Sequence, residues 1–472
     1  MYNRQNYENT LKLLKKHHQE HLLAFWDELN SEQKKELLSQ IAQLDFSQIY
    51  CWIRDLVKNA PIATIKADFE PVPYYKSEPD NPKLRKKYSR AVKLGTQLIS
   101  EGKVAAFVVA GGQGTRLGFD GPKGDFPASP CKKKTLFQIF AETIAAVQKK
   151  NKTTCPWYIM TSPSNHEQTV RIFRSKKYYG LKKENVIIFQ QGTLPDFSKS
   201  GKILLADKAN IACSPDGHGG SFKALYKSGA LEDMKKRGVE YISYWQVDNP
   251  LINIFDPLFI GLHALDKADM SSKALEKTGP KEKLGNFCSL NGKINIIEYS
   301  DLPDKLANKK NPDKSLVFRL GSIAIHIINR RFIEDFISNN LSLPLHRAVK
   351  SIEHISNKGR KIKYKGVRLE SFIFDAIPLA SKSIILETIR SEEFAPIKNR
   401  IGVDSVTSSR RMMIERAANW LESAGVKVPG KSDGSPDCII EIAPSFALNK
   451  EDVKSKIKKI PLIKPKDTVY LA

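Results

Sequence analysis

The chain reads as an α/β protein built on a mainly parallel, doubly wound sheet flanked by smaller N- and C-terminal parts. Two observations predict that class. Between residues 103 and 250, short apolar runs of strand length alternate with helical stretches, the pattern of successive βαβ units. The first run, Val104 to Ala110, is apolar at every position, which suits a strand covered on both faces. The parts are placed at residues 1–95 (helical), 96–390 (central) and 391–472 (small, C-terminal).

In chain order, Leu11, Leu14, Leu22, Phe25 and Leu29 recur at helical spacing. A second helix is expected from the cap candidate Ser31 through Leu37, Leu38, Ile41 and Leu44. Pro61, Pro71, Pro73, Pro79 and Pro82 break the periodicity and predict an extended linker before another, basic helix. In the central part a helix is expected from near Thr135 through Leu136, Ile139, Ile144 and Val147. Strands are expected over 157–160, 186–189 and 241–247, separated by helices at 167–174 and 221–237. Beyond residue 270 the texture turns β-rich, with strands over 293–299, 317–328 and 383–389. No internal repeat or low-complexity segment interrupts this order.

Composition narrows the function classes. The 472 residues carry 76 Lys and Arg against 51 Asp and Glu, a formal charge of +25. A nucleic-acid-binding protein is one reading of that excess. The lysines are dispersed, however, with no aromatic-interleaved basic motif, so a solvated surface that favours anionic substrates is preferred and no nucleic-acid partner is expected. The six cysteines form no Cys-x-x-Cys pair, which argues against a zinc site or a disulfide framework. No apolar run approaches the ~18 residues needed to cross a bilayer, and the first residues lack a secretory pattern. A cytoplasmic protein without membrane contact is expected. His17, His18 and His21 have partial ligand spacing, but a surface role on a helix is the simpler reading.

The chemistry concentrates in Ala110-Gly-Gly-Gln-Gly-Thr-Arg-Leu-Gly118 and the following Gly121-Pro-Lys-Gly124. A Gly-rich turn at the carboxyl end of a buried strand lets the backbone approach phosphate or a base edge without hindrance from Cβ atoms. Arg116 and Lys123 close behind it suit a polyphosphate. The P-loop string Gly-x-x-x-x-Gly-Lys-Ser/Thr is absent from this region, and a dinucleotide fingerprint on Gly112 and Gly114 fails where its third glycine is Leu117. Asp248 follows the strand run 241–247, at the edge where open α/β sheets bind ligands, and is the candidate carboxylate for Mg²⁺. No second carboxylate is identified.

With these residues in place, Gly111-Gly-x-Gly-Thr-Arg-Leu-Gly-x-x-x-Pro-Lys123 resembles the signature of eukaryotic-type UDP-sugar pyrophosphorylases, most closely the UDP-N-acetylglucosamine enzymes. The resemblance continues through Lys134-Thr-Leu-Phe-Gln-Ile, Trp157-Tyr-Ile-Met-Thr-Ser162, Phe189-Gln-Gln and Ser214-Pro-Asp-Gly-His-Gly-Gly220. Further along come Gln246-Val-Asp-Asn249, Glu276-Lys277, Phe372-Ile-Phe374 and Arg390-Ser-Glu-Glu-Phe-Ala-Pro-Ile-Lys-Asn399. It covers roughly residues 30 to 420, in order. What it implies is a Rossmann-like nucleotidyltransferase domain that joins UTP to a sugar-1-phosphate and releases pyrophosphate with Mg²⁺. By the same resemblance Gly111, Gly112, Gly114 and Thr115 would contact the nucleotide, and Gln191 and Gly217 would read the uracil. Arg116 and Lys123 would hold the UTP phosphates, and Lys398 would neutralise phosphate during transfer. Glu276, Phe372 and Phe374 would form the sugar pocket. Direct displacement needs no protein nucleophile, only alignment of two anions and stabilisation of developing charge. A non-catalytic sensor of nucleotide sugars is disfavoured, since Arg116, Lys123 and Asp248 are all present.

Two positions leave the pattern, His218 and Ser322, each where the acetylglucosamine enzymes usually carry Asn. Both are expected on the sugar side. The overall resemblance makes N-acetylglucosamine-1-phosphate the expected acceptor, while these two departures supply the alternative, glucose-1-phosphate or a broad sugar range.

Overall fold

The strand Val104–Val109 lies inside a nine-stranded sheet, fully buried from Val104 to Val108. This computed structural model describes residues 4–59 and 69–472, so the expected break at Pro61 falls outside the described residues. Val104–Val109 pairs in parallel with Trp157–Thr161 on one side and Tyr241–Gln246 on the other, and Val186–Gln190 extends the parallel run. The order 186, 157, 104, 241 means the winding reverses at Val104–Val109, which opens a crevice beyond the carboxyl ends of the strands on either side. Leu320–Asn329 is antiparallel to Tyr241–Gln246 and to Met270–Glu276, so those two run the same way. Gly285–Leu290 and Lys293–Ile297 add antiparallel strands, and Ser383–Glu387 lies parallel to Met270–Glu276. The ends Val109, Gln190, Gln246 and Glu276 and the start Leu320 consequently share one edge of the sheet.

Helix Leu136–Asn151 begins where expected, Thr135 capping it by accepting the Gln138 N–H. Its Phe137, Phe140 and Ile144 enter the main core with Val108, Trp157 and Trp245. Helices Pro82–Ser100 and Pro257–Leu265 approach backbone to backbone. A Cβ built on Gly95 would stand 1.9 Å from the Pro257 carbonyl oxygen, and one on Gly261 1.8 Å from that of Ala91. A smaller core under Val406–Ser423 gathers Trp420, Leu421, Ile440 and Leu471. This sheet, with residues 65–191, 221–342 and 374–472, forms one compact unit.

The other unit comprises 1–64, 192–220 and 343–373. Its hairpin Leu345–Ile355 with Lys361–Ser371 was not anticipated as a pair of long strands, because residues 361–365 are all exposed and carry no buried alternation. The hairpin shares a core with Leu14, Leu37 and Ile41, through Val367 and Leu369.

Several expectations need correction. The apolar periodicity from Leu11 to Leu29 is not one helix: Arg4–Lys16 ends before His18, whose φ of 55° is left-handed. Gln19 then bonds outward to the Gly201 carbonyl and the Ile203 N–H, while Leu22, Leu23 and Trp26 still reach the core from short 3₁₀ turns. The second helix begins at Ser31 but is capped by Asn30, in a reciprocal box with Gln33. The stretch 221–237 is two helices, Ser221–Lys227 and Ala230–Lys236, divided at Gly229 with φ 77°. Phe372 and Phe374 lie just beyond the strand that ends at Ser371, Phe374 within the 3₁₀ segment Ile373–Leu379. His21, read as a surface residue, is half-buried with Nε2 2.7 Å from the Ile203 carbonyl oxygen.

Candidate active site

The Gly-rich segment leaves Val109 and folds back on itself. The Gly114 N–H donates to the Gly121 carbonyl (2.8 Å) and the Lys123 N–H to the Gly112 carbonyl (3.0 Å), which brings Lys123 beside the start of the loop. Asn165 donates to the carbonyls of Ala110 and Gly112, and Ser162 Oγ to that of Gly111. These carbonyls are thereby satisfied by side-chain donors. At two glycines of the segment an added Cβ would meet a neighbouring side chain. A Cβ on Gly111 would come within 2.5 Å of Gln191 Oε1, and one on Gly124 within 2.1 Å of the Phe137 ring. Gly112, by contrast, faces open space. Thr115 and Arg116 are exposed on the short 3₁₀ turn that follows. Gln191, buried beside Gly111, is held by its N–H to the Thr161 carbonyl at 2.8 Å.

Across the winding reversal, the Val247 N–H bonds the Val109 carbonyl (3.1 Å) and sets Asp248 at the sheet edge. Its carboxylate lies 3.7 Å from Lys123 Nζ, both side chains largely covered at 12% and 17% exposure. The Asp248 carbonyl accepts the Ile397 N–H at 2.9 Å, which puts Lys398 next along the chain from that contact. The Lys398 N–H in turn donates to the Asp404 carbonyl, and Lys398 Nζ stands 5.8 Å over the Phe394 ring. Burial pushes the Asp404 carboxyl up from its ordinary value; the Lys398 ammonium opposes this and the Asp248 carboxylate adds to it. Asp248, Lys398 and Asp404 therefore share one electrostatic neighbourhood. Among the described residues no group of three or more His, Cys, Asp or Glu could hold a metal unaided. A single edge carboxylate beside cations fits a hard divalent ion that takes its remaining oxygens from substrate phosphates and water.

At the same edge Glu276 ends its strand, 57% exposed, with its carboxylate 3.8 Å from Arg319. Ser322 pairs with both Ala274 and Gly285 at a bulge, with Ala324 in the left-handed region at φ 55°. Register places Leu320 opposite Glu276 and Ser322 opposite Ala274, so Glu276 and Ser322 look out from the same face. Phe374 is buried in this unit.

In the other unit, Gly217, His218 and Phe372 gather on one another. Gly217 has φ 83°, and a Cβ there would stand 2.3 Å from the Ser371 carbonyl oxygen. The Phe372 ring stacks between His218 (centroids 5.4 Å apart) and His346 (4.5 Å). Burial, helped by His346, pushes His218 down to about 4, so the ring is neutral at pH 7. Its Nδ1 accepts the Ile373 N–H, which assigns the remaining proton to Nε2.

Several residues here had no role in the sequence reading. Asn165 and Ser162 hold the Gly-rich loop, Arg319 faces Glu276, and Asn249 joins the Asp248 turn to the segment before Lys398. Asn249 stood within the quoted Gln-Val-Asp-Asn motif and Ser162 at the end of Trp-Tyr-Ile-Met-Thr-Ser, the two available signals. The others depend on contacts between segments distant in sequence.

With this geometry in hand, the comparisons with known proteins are consistent. Residues 66–471 match the family described as UTP–glucose-1-phosphate uridylyltransferase. The UDP-N-acetylglucosamine diphosphorylase 2 of Arabidopsis thaliana is 35% identical over 432 residues, covering 87% of this chain and 84% of that protein. The UDP-N-acetylglucosamine pyrophosphorylase of Saccharomyces cerevisiae is 35% identical over 437 residues, covering 87% of this chain and 90% of its own length. The crystal structure of the corresponding Trypanosoma brucei enzyme superposes with a TM-score of 0.82 over 100% of this chain and 99% of that one; at 24% identity this bears on fold alone. Matched along most of its length by the family and by curated relatives, the chain belongs to the UDP-sugar pyrophosphorylases, a family of UTP:sugar-1-phosphate uridylyltransferases.

Proposed function

We propose that this protein is a Mg²⁺-dependent UDP-N-acetylglucosamine pyrophosphorylase acting in the cytoplasm. An oxygen of the sugar phosphate forms a bond to the α-phosphorus of UTP. The bond from that phosphorus to the β-bridging oxygen breaks, and its electron pair departs with pyrophosphate. The observation that carries the reading is the juxtaposition of Lys123 and Asp248 at the winding reversal, with the Lys398 segment bonded to the Asp248 carbonyl. Two anions must meet, so stabilisation of charge on the transferred phosphoryl group is the main demand on the site. Lys123 and Arg116 would hold the UTP phosphates, and Lys398 would face the charge that develops during transfer. Gly111, Gly112, Gly114 and Thr115 would line the nucleotide, with Gln191 and Gly217 at the uracil. Asp248 would hold Mg²⁺, which supplies charge neutralisation between the reacting phosphates. Glu276, Ser322, Phe372, Phe374 and His218 would take the sugar.

Support for the acetylated sugar comes from the names of the relatives at 35% identity. The test is pyrophosphate release by purified protein with UTP, Mg²⁺ and either N-acetylglucosamine-1-phosphate or glucose-1-phosphate. The expected result is turnover that needs all three components, with the acetylated sugar used at the higher kcat/KM. Faster use of glucose-1-phosphate would overturn the sugar assignment, and no turnover with either would overturn the reaction.

A further inference from the structure

Lys398 sits on an irregular segment, yet that segment is bonded to the Asp248 turn at alternate residues. Asn249, buried at 4% exposure, donates from Nδ2 to the Glu393 carbonyl (2.6 Å) and accepts the Ala395 N–H on Oδ1 (3.1 Å). The next alternate residue, Ile397, gives its N–H to the Asp248 carbonyl. One amide therefore joins segments 144 to 146 residues apart, immediately beside the two charges assigned to transfer. The opposite side of the segment is held by helix Val406–Ser423. Ser409 Oγ donates to the Ala395 carbonyl (2.7 Å), and Arg416 donates to the carbonyls of Glu392 (3.1 Å) and Leu251 (3.0 Å).

The start of the segment is anchored by charge. Lys273, 1% exposed, lies between Glu393 (2.5 Å) and Asp256 (2.6 Å). Glu393 also accepts the Thr388 hydroxyl and the Asn253 N–H. A buried ion group of this kind adds little net stability over an apolar replacement, but its fixed hydrogen bonds restrict the arrangements available to what it holds. The network has a geometric consequence: it sets the distance from Asp248 to Lys398.

We propose that Asn249 is a positioning residue for the transfer step, registering the Lys398 segment against Asp248. The inference rests on the role given to Lys398 above. Misplacing a catalytic cation by about 1 Å costs on the order of 100-fold in rate, so the amide acts on kcat through Lys398 and not on substrate binding.

A double-mutant cycle tests this in the full-length protein with UTP, Mg²⁺ and the better sugar phosphate. Asn249→Ala is expected to lower kcat roughly 10- to 100-fold with KM for UTP within about twofold of wild type. Placed on Lys398→Ala, the same change is expected to cost no more than about a further twofold, because the residue it positions is gone. A near-normal kcat for Asn249→Ala, or losses that multiply in the double mutant, overturns the proposal while leaving the reaction assignment intact. A normal kcat for Lys398→Ala overturns the role given to Lys398 and, with it, the proposal. Should Asn249→Ala not fold, Ser409→Ala removes one bond to the same segment. Its kcat is expected to drop severalfold, only when Lys398 is present, and no drop is an overturning result.

Discussion

Burial sets the charge state of His263 and His218, and that has a measurable consequence for stability. His263 is pushed down to about 3 and His218 to about 4, against an ordinary value of 6.5. Below pH ~6.5 the unfolded chain takes up protons that the folded chain refuses. The stability tied to each neutral ring is complete above that pH and is lost as pH falls toward the folded value. His263 Nδ1 lies 2.7 Å from Ser271 Oγ, and Asn at 263 retains a polar atom near that contact while removing the titration. His263→Asn is expected to flatten the fall of unfolding free energy between pH 6 and 4 by up to ~1.4 kcal/mol per pH unit, read from urea unfolding. An unchanged slope would mean that the imidazole titrates normally in the folded state. At this scale the spacing from Gly111 to Lys123 was legible, because a loop that returns on itself needs only local bonds. The pairing of Lys123 with Asp248 was legible only as two separate candidates, since their proximity is set by sheet order. Asn249 was illegible as a positioning group, since its partners, Glu393 and Ala395, lie far along the chain.

Elements were legible wherever one periodicity governed a whole segment. The strands Trp157–Thr161, Val186–Gln190 and Tyr241–Gln246 were anticipated within about two residues at each end, and helix Leu136–Asn151 at its start, because cap, period and burial agree there; that helix runs on past the expected Val147. The N-terminal run misled because 3₁₀ turns carried Leu22, Leu23 and Trp26 into the same core after the helix had ended. The helix contact at Gly95 and Gly261 also escaped, since a single glycine inside a helical pattern does not announce what approaches it. It is nevertheless a sharp constraint. The atom nearest to each added Cβ is a backbone carbonyl oxygen, which cannot rotate away as a side chain would. Gly261→Ala is expected to destabilise the protein by about 2–3 kcal/mol despite alanine's better helix propensity, read as a lower urea midpoint. A midpoint equal to or above wild type would show that the two helices can separate without penalty.

For the molecule as a whole, strand order does what no single segment can. Lys123 and Asp248 lie 125 positions apart, and they meet because Tyr241–Gln246 inserts on the far side of Val104–Val109 from Trp157–Thr161. Long-range register of that kind has no local signature, although the alternation of elements correctly implied the class of sheet. Net charge is the other property that belongs to the entire chain. An excess of 25 positive charges, dispersed over the sequence, makes a field that draws polyanions without selecting one. The bonds that select UTP would be short-range contacts at the loop and at Lys123, which salt screens weakly once they are covered. Ionic strength therefore separates the two contributions, since the Debye length falls from about 10 Å at 0.1 M salt to about 3 Å at 1 M. Raising salt across that range is expected to lower kcat/KM for UTP severalfold, mainly through KM, with kcat within about twofold. Retardation of RNA or DNA seen at low salt should vanish over the same range, as phosphate-only contacts do. Nucleic-acid binding that persisted at high salt, together with a kcat/KM indifferent to salt, would instead assign the basic excess to a specific nucleic-acid partner.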